Sequence, residues 1–244
     1  MNLHRSPAGI ESDITSLCDM SLHRNPAGFL GIVMLQTRFP RPLGDIGHPG
    51  SFGFPVRYLV VPGATPGRVV RERAAGLLQP FIEAGRQLVR EGAAAITTSC
   101  GFLAIFQAEL AAALPVPVWT SSLLKLPELR APGVITVDAA SLTADHLRAA
   151  GADGDVPVVG LAPGCSLQQT LMNDEESLDM VRAESDTVAA ARELLARSPK
   201  VSDIVFECTN LAPYAMAVMC ATGLPVHHIV GLLHERFQVL KESS

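Results

Sequence analysis

Long hydrophobic runs are missing from this sequence. No apolar stretch approaches the roughly 18 residues that cross a bilayer, and the opening MNLHRSPAGIESDITSLCDMSLHR has no apolar core of the kind a secretory signal needs. A basic excess is missing too: 19 Lys and Arg face 24 Asp and Glu, for a formal charge of −5. No patch of the kind that neutralises phosphates is implied, which argues against a nucleic-acid partner. Cysteine is sparse and unpatterned. The five, Cys18, Cys100, Cys165, Cys208 and Cys220, are odd in number and widely spaced, with no C-x-x-C. That argues against a disulfide framework. No His stands at a metal spacing from any of them, and His227 and His228 would point to opposite faces of a strand, a poor chelate. The expectation is a cytoplasmic globular protein with no metal, no membrane and no nucleic acid, its oligomeric state left open.

What the sequence does have is a rhythm. Short apolar stretches, GFLGIVML (28–35), VRYLVV (56–61), AAAITT (93–98), VPVWTS (116–121), VITVDA (134–139), VPVVGLA (156–162) and DIVFEC (203–208), alternate with segments of helical period. The helical segments include 69–92, with Pro80 expected as a local kink or a break, and 173–198. Strands alternating with helices of ten or more residues mean βαβ units and parallel sheets covered by helices.

Two corners of this pattern match. TTSCGF around Cys100 and ECTNL around Cys208 both end a strand and begin a helix. With the cysteines aligned, Leu103 falls on Leu211, Ala104 on Ala212 and Phe106 on Tyr214; Pro117-Val118 and Pro225-Val226 follow at equal distance. The chain therefore reads as two related halves. The expected fold is α/β, with two pseudo-symmetric, Rossmann- or flavodoxin-like lobes, parallel sheets and an active site between them. Residues 1–27 are expected to be a loosely ordered extension, 28–125 with 225–244 one lobe, and 126–224 the other. On this division the strand after Pro225 returns to lobe one.

The carboxyl edge of a parallel sheet is where ligands bind. A thiol at a helix N-terminus there is expected to have a lowered pKa. The N–H groups of Gly101 and Phe102 in one half, and of Thr209 and Asn210 in the other, are placed to hold a carboxylate. Gln36, after the first strand, and Ser99, before Cys100, are expected to line the same pocket. Glu207 either orients the Cys208 thiol or is solvated. Asp138 and Ser141 either bind a polar substrate group or cap a helix. The loop 37–55, with Arg38, Arg41, Asp45 and His48, is either a lid or a plain connection. Lys125 and Arg130 read as linker surface. Cys18 and Cys220 read as small buried hydrophobes, and Cys165, in the turn PGCS, as a third cysteine that follows a strand.

TTSCGF and ECTNL resemble the two catalytic cysteine motifs of the cofactor-independent aspartate/glutamate racemase superfamily. That group includes hydantoin racemases, maleate isomerases and arylmalonate decarboxylases. The resemblance implies Cys100 and Cys208 as a catalytic acid/base pair, no cofactor, and a small amino-acid-like carboxylate as substrate. One departure stands out: many amino-acid racemases read Cys-Asn-Thr at the first site, where this chain has Cys100-Gly101-Phe102. The expected activity is an isomerase of the racemase or epimerase type, acting in amino-acid metabolism, in which thiol and thiolate work on opposite faces of one carbon. Three alternatives stand beside it. A cis–trans isomerase uses one cysteine as nucleophile. A decarboxylase of the superfamily retains only one cysteine. A binding protein would clasp a small acid without turning it over, with its thiols as redox sensors.

Overall fold

The computed structural model describes residues 28–152 and 155–242. The extension expected over 1–27, Cys18 included, lies outside them. The first half contains strand β1 (Phe29–Leu35), strand β2 (Val56–Val61), helices α1 (Pro66–Val70) and α2 (Leu78–Arg90), and strand β3 (Ala93–Thr98). A 3₁₀ turn (Gly101–Phe106), helix α3 (Gln107–Ala113) and strand β4 (Val118–Trp119) complete it. After a second 3₁₀ segment (Ser122–Glu128) the second half begins with β5 (Pro132–Thr136), α4 (Ala144–Ala149), β6 (Val158–Gly160) and α5 (Ser166–Met172). Then come α6 (Met180–Arg197), β7 (Asp203–Phe206), a 3₁₀ turn (Thr209–Tyr214), α7 (Ala215–Thr222), β8 (Val226–His227) and α8 (Ile229–Glu242).

The strands form two four-stranded sheets of identical order, β2-β1-β3-β4 and β6-β5-β7-β8, with every pair parallel. This is the two-lobed α/β architecture that the alternation implies. The repeat runs deeper than the cysteine motifs. Gly31 pairs with Ile96 in one sheet and Gly133 with Ile204 in the other. A side chain at either glycine would press into the leucine of the covering helix, Leu88 of α2 or Leu194 of α6. Each helix thus rests directly on its sheet.

β1 is buried on both faces. Phe29, Val33 and Leu35 join the core that α2 covers, while Leu30, Ile32 and Met34 pack against Ile229, Leu233 and Phe237 of α8. Such two-sided burial accounts for its unbroken apolar run.

Three expectations are corrected. The strand after Pro225 does not return to the first lobe: Val226 pairs with Ile204 and His227 with Val205, so β8 closes the second sheet as β4 closes the first. Only α8, beyond it, crosses to the first sheet. Pro80 kinks nothing, because it occupies the first turn of α2, where its missing N–H has no helical partner to lose. The chain breaks earlier, at Arg73, Ala74 and Gly76, all with positive φ. Likewise the segment 173–198 is helical only from Met180, where the Asp179 carboxylate caps the N–H groups of Val181 and Arg182. Among the described residues no helix is long and apolar enough to cross a membrane.

Candidate active site

Both cysteines sit two residues beyond the ends of equivalent central strands, β3 and β7. Cys100 and Cys208 are extended, with φ of −147° and −69°. Each carbonyl then accepts from the N–H three residues on, Leu103 at 3.1 Å and Leu211 at 3.2 Å, and the 3₁₀ turn begins. The two corners touch. The Thr209 hydroxyl donates to the Ser99 carbonyl at 2.8 Å, and the Ser122 hydroxyl donates to the Phe206 carbonyl. Between them lies a cavity of about 30 Å³ lined by both thiols, with Ser99, Gly101, Phe102, Thr209 and Asn210.

The polar groups expected to hold a substrate are partly engaged elsewhere. The Ser99 hydroxyl accepts from Leu35 N–H at 2.9 Å, tying the end of β1 to β3. The Phe102 N–H points at the Cys100 sulfur and the Asn210 N–H at the Cys208 sulfur, so these two donors already serve the thiols. Gln36 is turned away: it is exposed, and its side-chain oxygen accepts from Gly63 N–H at 2.7 Å on the turn after β2. The Asp138 carboxylate is satisfied locally, by Ala140 N–H and the Ser141 hydroxyl.

Two residues given little weight in the sequence supply the charged groups of the cavity lining. Glu207 is fully buried. Its Oε2 accepts from the Thr136 hydroxyl at 2.6 Å, while its Oε1 is buried without a partner. Burial pushes this carboxyl up to about 8, against the opposing Thr136 hydrogen bond. Glu207 also explains the departure at the first motif. A Cβ at position 101 would fall on the Glu207 carbonyl oxygen and on Oε1, so the residue after Cys100 has no room for a side chain. The other residue is Arg41, from the loop after β1. Its guanidinium pairs with Asp45 at 3.1 Å and with the Thr37 hydroxyl at 3.1 Å, and its Nε–H is buried without a partner. Asp45 in turn accepts from the Asn210 side chain at 2.7 Å, and the Cys208 thiol lies 3.7 Å from the Asn210 oxygen. Among the described residues that line the cavity, Arg41 is the cation and Glu207 the carboxylate.

The thiols themselves are not acidified as expected. Cys100 is pushed up to about 12, first by burial and then by Glu207, with the Phe102 N–H and Arg41 opposing. Cys208 is driven well above its usual value by burial and again by Glu207. A helix N-terminus lowers a thiol pKa where the sulfur stays solvated; here desolvation outweighs it. Cys220, expected inside, is exposed, whereas Cys165 stands half-buried at the start of α5.

The loop carrying Arg41 is strapped shut. Asp174 accepts from Arg38 N–H at 2.6 Å, Phe39 N–H at 3.3 Å and the Arg38 guanidinium at 3.3 Å. This ties a loop of the first half to the segment after α5 in the second. Loop 37–55 is therefore a cover over the cavity.

No family model matches the chain. Among curated proteins, dimethylsulfoniopropionate lyase 7 of Emiliania huxleyi is 34% identical over 215 residues, covering 81% of this chain and 62% of that protein. The dimethylsulfoniopropionate lyase of Durusdinium sp. clade D is 32% identical over 219 residues, covering 82% of this chain and 71% of that protein. The chain belongs to the dimethylsulfoniopropionate lyase family. It spans about three fifths of the length of the Emiliania huxleyi relatives.

Solved structures supply the fold. A variant of arylmalonate decarboxylase matches with a TM-score of 0.56 at 17% identity, covering 88% of this chain and 94% of that one. Glutamate racemase from Thermus thermophilus matches with a TM-score of 0.50 at 18% identity, covering 89% and 82%. The racemase resemblance thus holds for the architecture. The expected isomerase is overturned, because the curated relatives at 32–34% identity carry the name of a lyase.

Proposed function

We propose that this chain is a lyase that breaks a carbon–sulfur bond by β-elimination, acting on a small carboxylate of the dimethylsulfoniopropionate type. The observation that carries the reading is the pair of thiols on one buried cavity, in a chain of the dimethylsulfoniopropionate lyase family. Arg41 is the anchor for the substrate carboxylate: it lines the cavity, and its Nε–H has no other partner. One cysteine thiolate takes the proton from the carbon next to the carboxylate. The electrons left behind form the double bond of acrylate, the bond from the β-carbon to sulfur breaks, and dimethyl sulfide departs with that electron pair. That transfer restores the resting thiol, and the proton released by the reaction is the one this thiol gave to solvent in forming the thiolate.

Burial keeps the thiols protonated at rest, so the thiolate is a minor species that forms only during turnover.

Elimination needs one base, where racemisation needs two. Of Cys100→Ala and Cys208→Ala, one is therefore expected to lower kcat by about 10²–10⁴-fold, the range for a lost general base, and the other to retain measurable turnover. Release of dimethyl sulfide and acrylate from dimethylsulfoniopropionate, followed by headspace chromatography, is the assay. No release by the folded chain, or equal abolition in both variants, defeats this reading.

A further inference from the structure

We propose that Glu207 is the specificity-determining residue for the onium end of the substrate: its carboxylate, given room by Gly101, receives the positive charge while Arg41 holds the carboxylate end. The inference rests on the elimination reading for its choice of a sulfonium. It deepens that reading by naming the residue that meets the sulfonium.

The geometry is that of a built site. Glu207 is fully buried, and the Thr136 hydroxyl fixes one of its oxygens, leaving the other unpartnered at the cavity. A buried polar atom without a partner is costly, and its persistence at a cavity beside two thiols points to a ligand group that completes it. Arg41 provides a matching orphan donor, its Nε–H, while its other nitrogens are held by Asp45 and Thr37. Around this pair the lining is largely apolar, with Leu35, Phe39, Val70, Phe102 and Val137 among it. About 30 Å³ holds little more than a water, so a ligand enters only as the covering loop lifts; one cation and one carboxylate in these apolar surroundings then complement one molecule carrying both charges. A dicarboxylate would set its second negative charge against Glu207. An uncharged tail would leave Oε1 unpaired. The Thr136 hydroxyl bonds Glu207, and the Cys100 and Cys208 thiols and Arg41 share the cavity with it; Asp45, the partner of Arg41, lies outside the lining.

Binding also moves a proton. The carboxyl is largely protonated at neutral pH, since burial holds it at about 8; pairing with a fixed cation ionises it. The proton goes to buffer.

The test compares two probes of the same shape: 3-(trimethylammonio)propionate, whose amine is a poor leaving group, and its uncharged-tail counterpart 4,4-dimethylpentanoate. Titration calorimetry on the unmodified chain, in two buffers of different ionisation enthalpy, is expected to show preference for the ammonium probe and release of close to one proton near pH 7. The uncharged-tail probe should release none. In Glu207→Gln, which keeps the Thr136 partner, affinity for the ammonium probe is expected to fall about 30-fold or more, as when a buried charge loses its partner. Affinity for 4,4-dimethylpentanoate should change less than about 2-fold, and proton release should vanish. Equal weakening of both probes would mark Glu207 as structural and overturn the proposal, as would ammonium binding that is indifferent to the substitution. Because neither probe needs to react, failure of the chain to eliminate dimethyl sulfide would refute the proposed activity while leaving this charge-recognition test standing.

Discussion

Glu207 has consequences for stability as well as for binding. Its carboxyl sits at about 8 in the folded chain against 4.5 as the ordinary value. Between those values the folded chain holds a proton that the unfolded chain has lost. Stability therefore falls as pH rises through this window, by up to about 1.4 kcal/mol per pH unit from this one group. The contribution is complete below about pH 4.5 and gone by about pH 8. Glu207→Gln is expected to flatten that slope, measured as the unfolding free energy in urea at several pH values. An unchanged slope would assign the proton elsewhere. Gly101 is tested by size rather than by charge. A methyl group there falls on the Glu207 carbonyl, which is backbone and yields little. Gly101→Ala is expected to cost about 1–3 kcal/mol, the range for overpacking, and to lower the denaturation midpoint accordingly. Both residues were visible in the sequence, one as a departure from the racemase pattern and one as a neighbour of Cys208. Their pairing was not, because 106 positions of chain separate them and only the meeting of the two lobes joins them.

Among the elements, the covering loop is the part whose behaviour decides access. Asp174 holds it through two backbone N–H groups and one guanidinium, and Asp174 itself stands at a φ of 55°, where glycine is at ease. Asp174→Gly thus removes the strap without adding backbone strain. The expected result is read by alkylation. In the unmodified chain Cys220 should react ahead of Cys100, and Cys208 last, following exposure and the raised thiol values. In Asp174→Gly the rate at Cys100 should rise several-fold while that at Cys220 stays constant. A rate at Cys100 that ignores the substitution would mean that the loop is held by its other contacts, such as Asp45 to Asn210. Sequence alone showed a long loop rich in Pro and Gly; it did not show that Arg41 bends back to the cavity, since a lone arginine in such a loop is ordinarily solvated.

At the scale of the whole molecule, the two sheets are separate but the core is not. One continuous apolar cluster runs from Phe29, Leu88 and Phe102 in the first half to Phe206, Leu211 and Tyr214 in the second. α8 then returns from the end of the chain to cover the first sheet. Two lobes that share a core, with one helix crossing from the second half to cover the first sheet, should unfold together. Fluorescence of Trp119, at the end of β4 in the first lobe, and far-ultraviolet circular dichroism, which reads both lobes, are expected to give coincident denaturation curves. Separated midpoints would show that the lobes are independent units.

Period and repetition by themselves determined the class of this protein. Alternating apolar runs and helical segments require parallel sheets with covering helices, and the matched corners at Cys100 and Cys208 put two thiols at equivalent strand ends. Those are local properties, written in residues close together in the chain. Tertiary structure decided the rest. It closed the second sheet with β8 and sent α8 across to the first. It used the Ser99 hydroxyl and Gln36 for structure rather than for the cavity, and brought Arg41 and Glu207 to the thiols instead. The reason is physical: the pKa of a thiol and the worth of a charge depend on how much water the fold removes. That quantity belongs to no residue until both lobes have met around it.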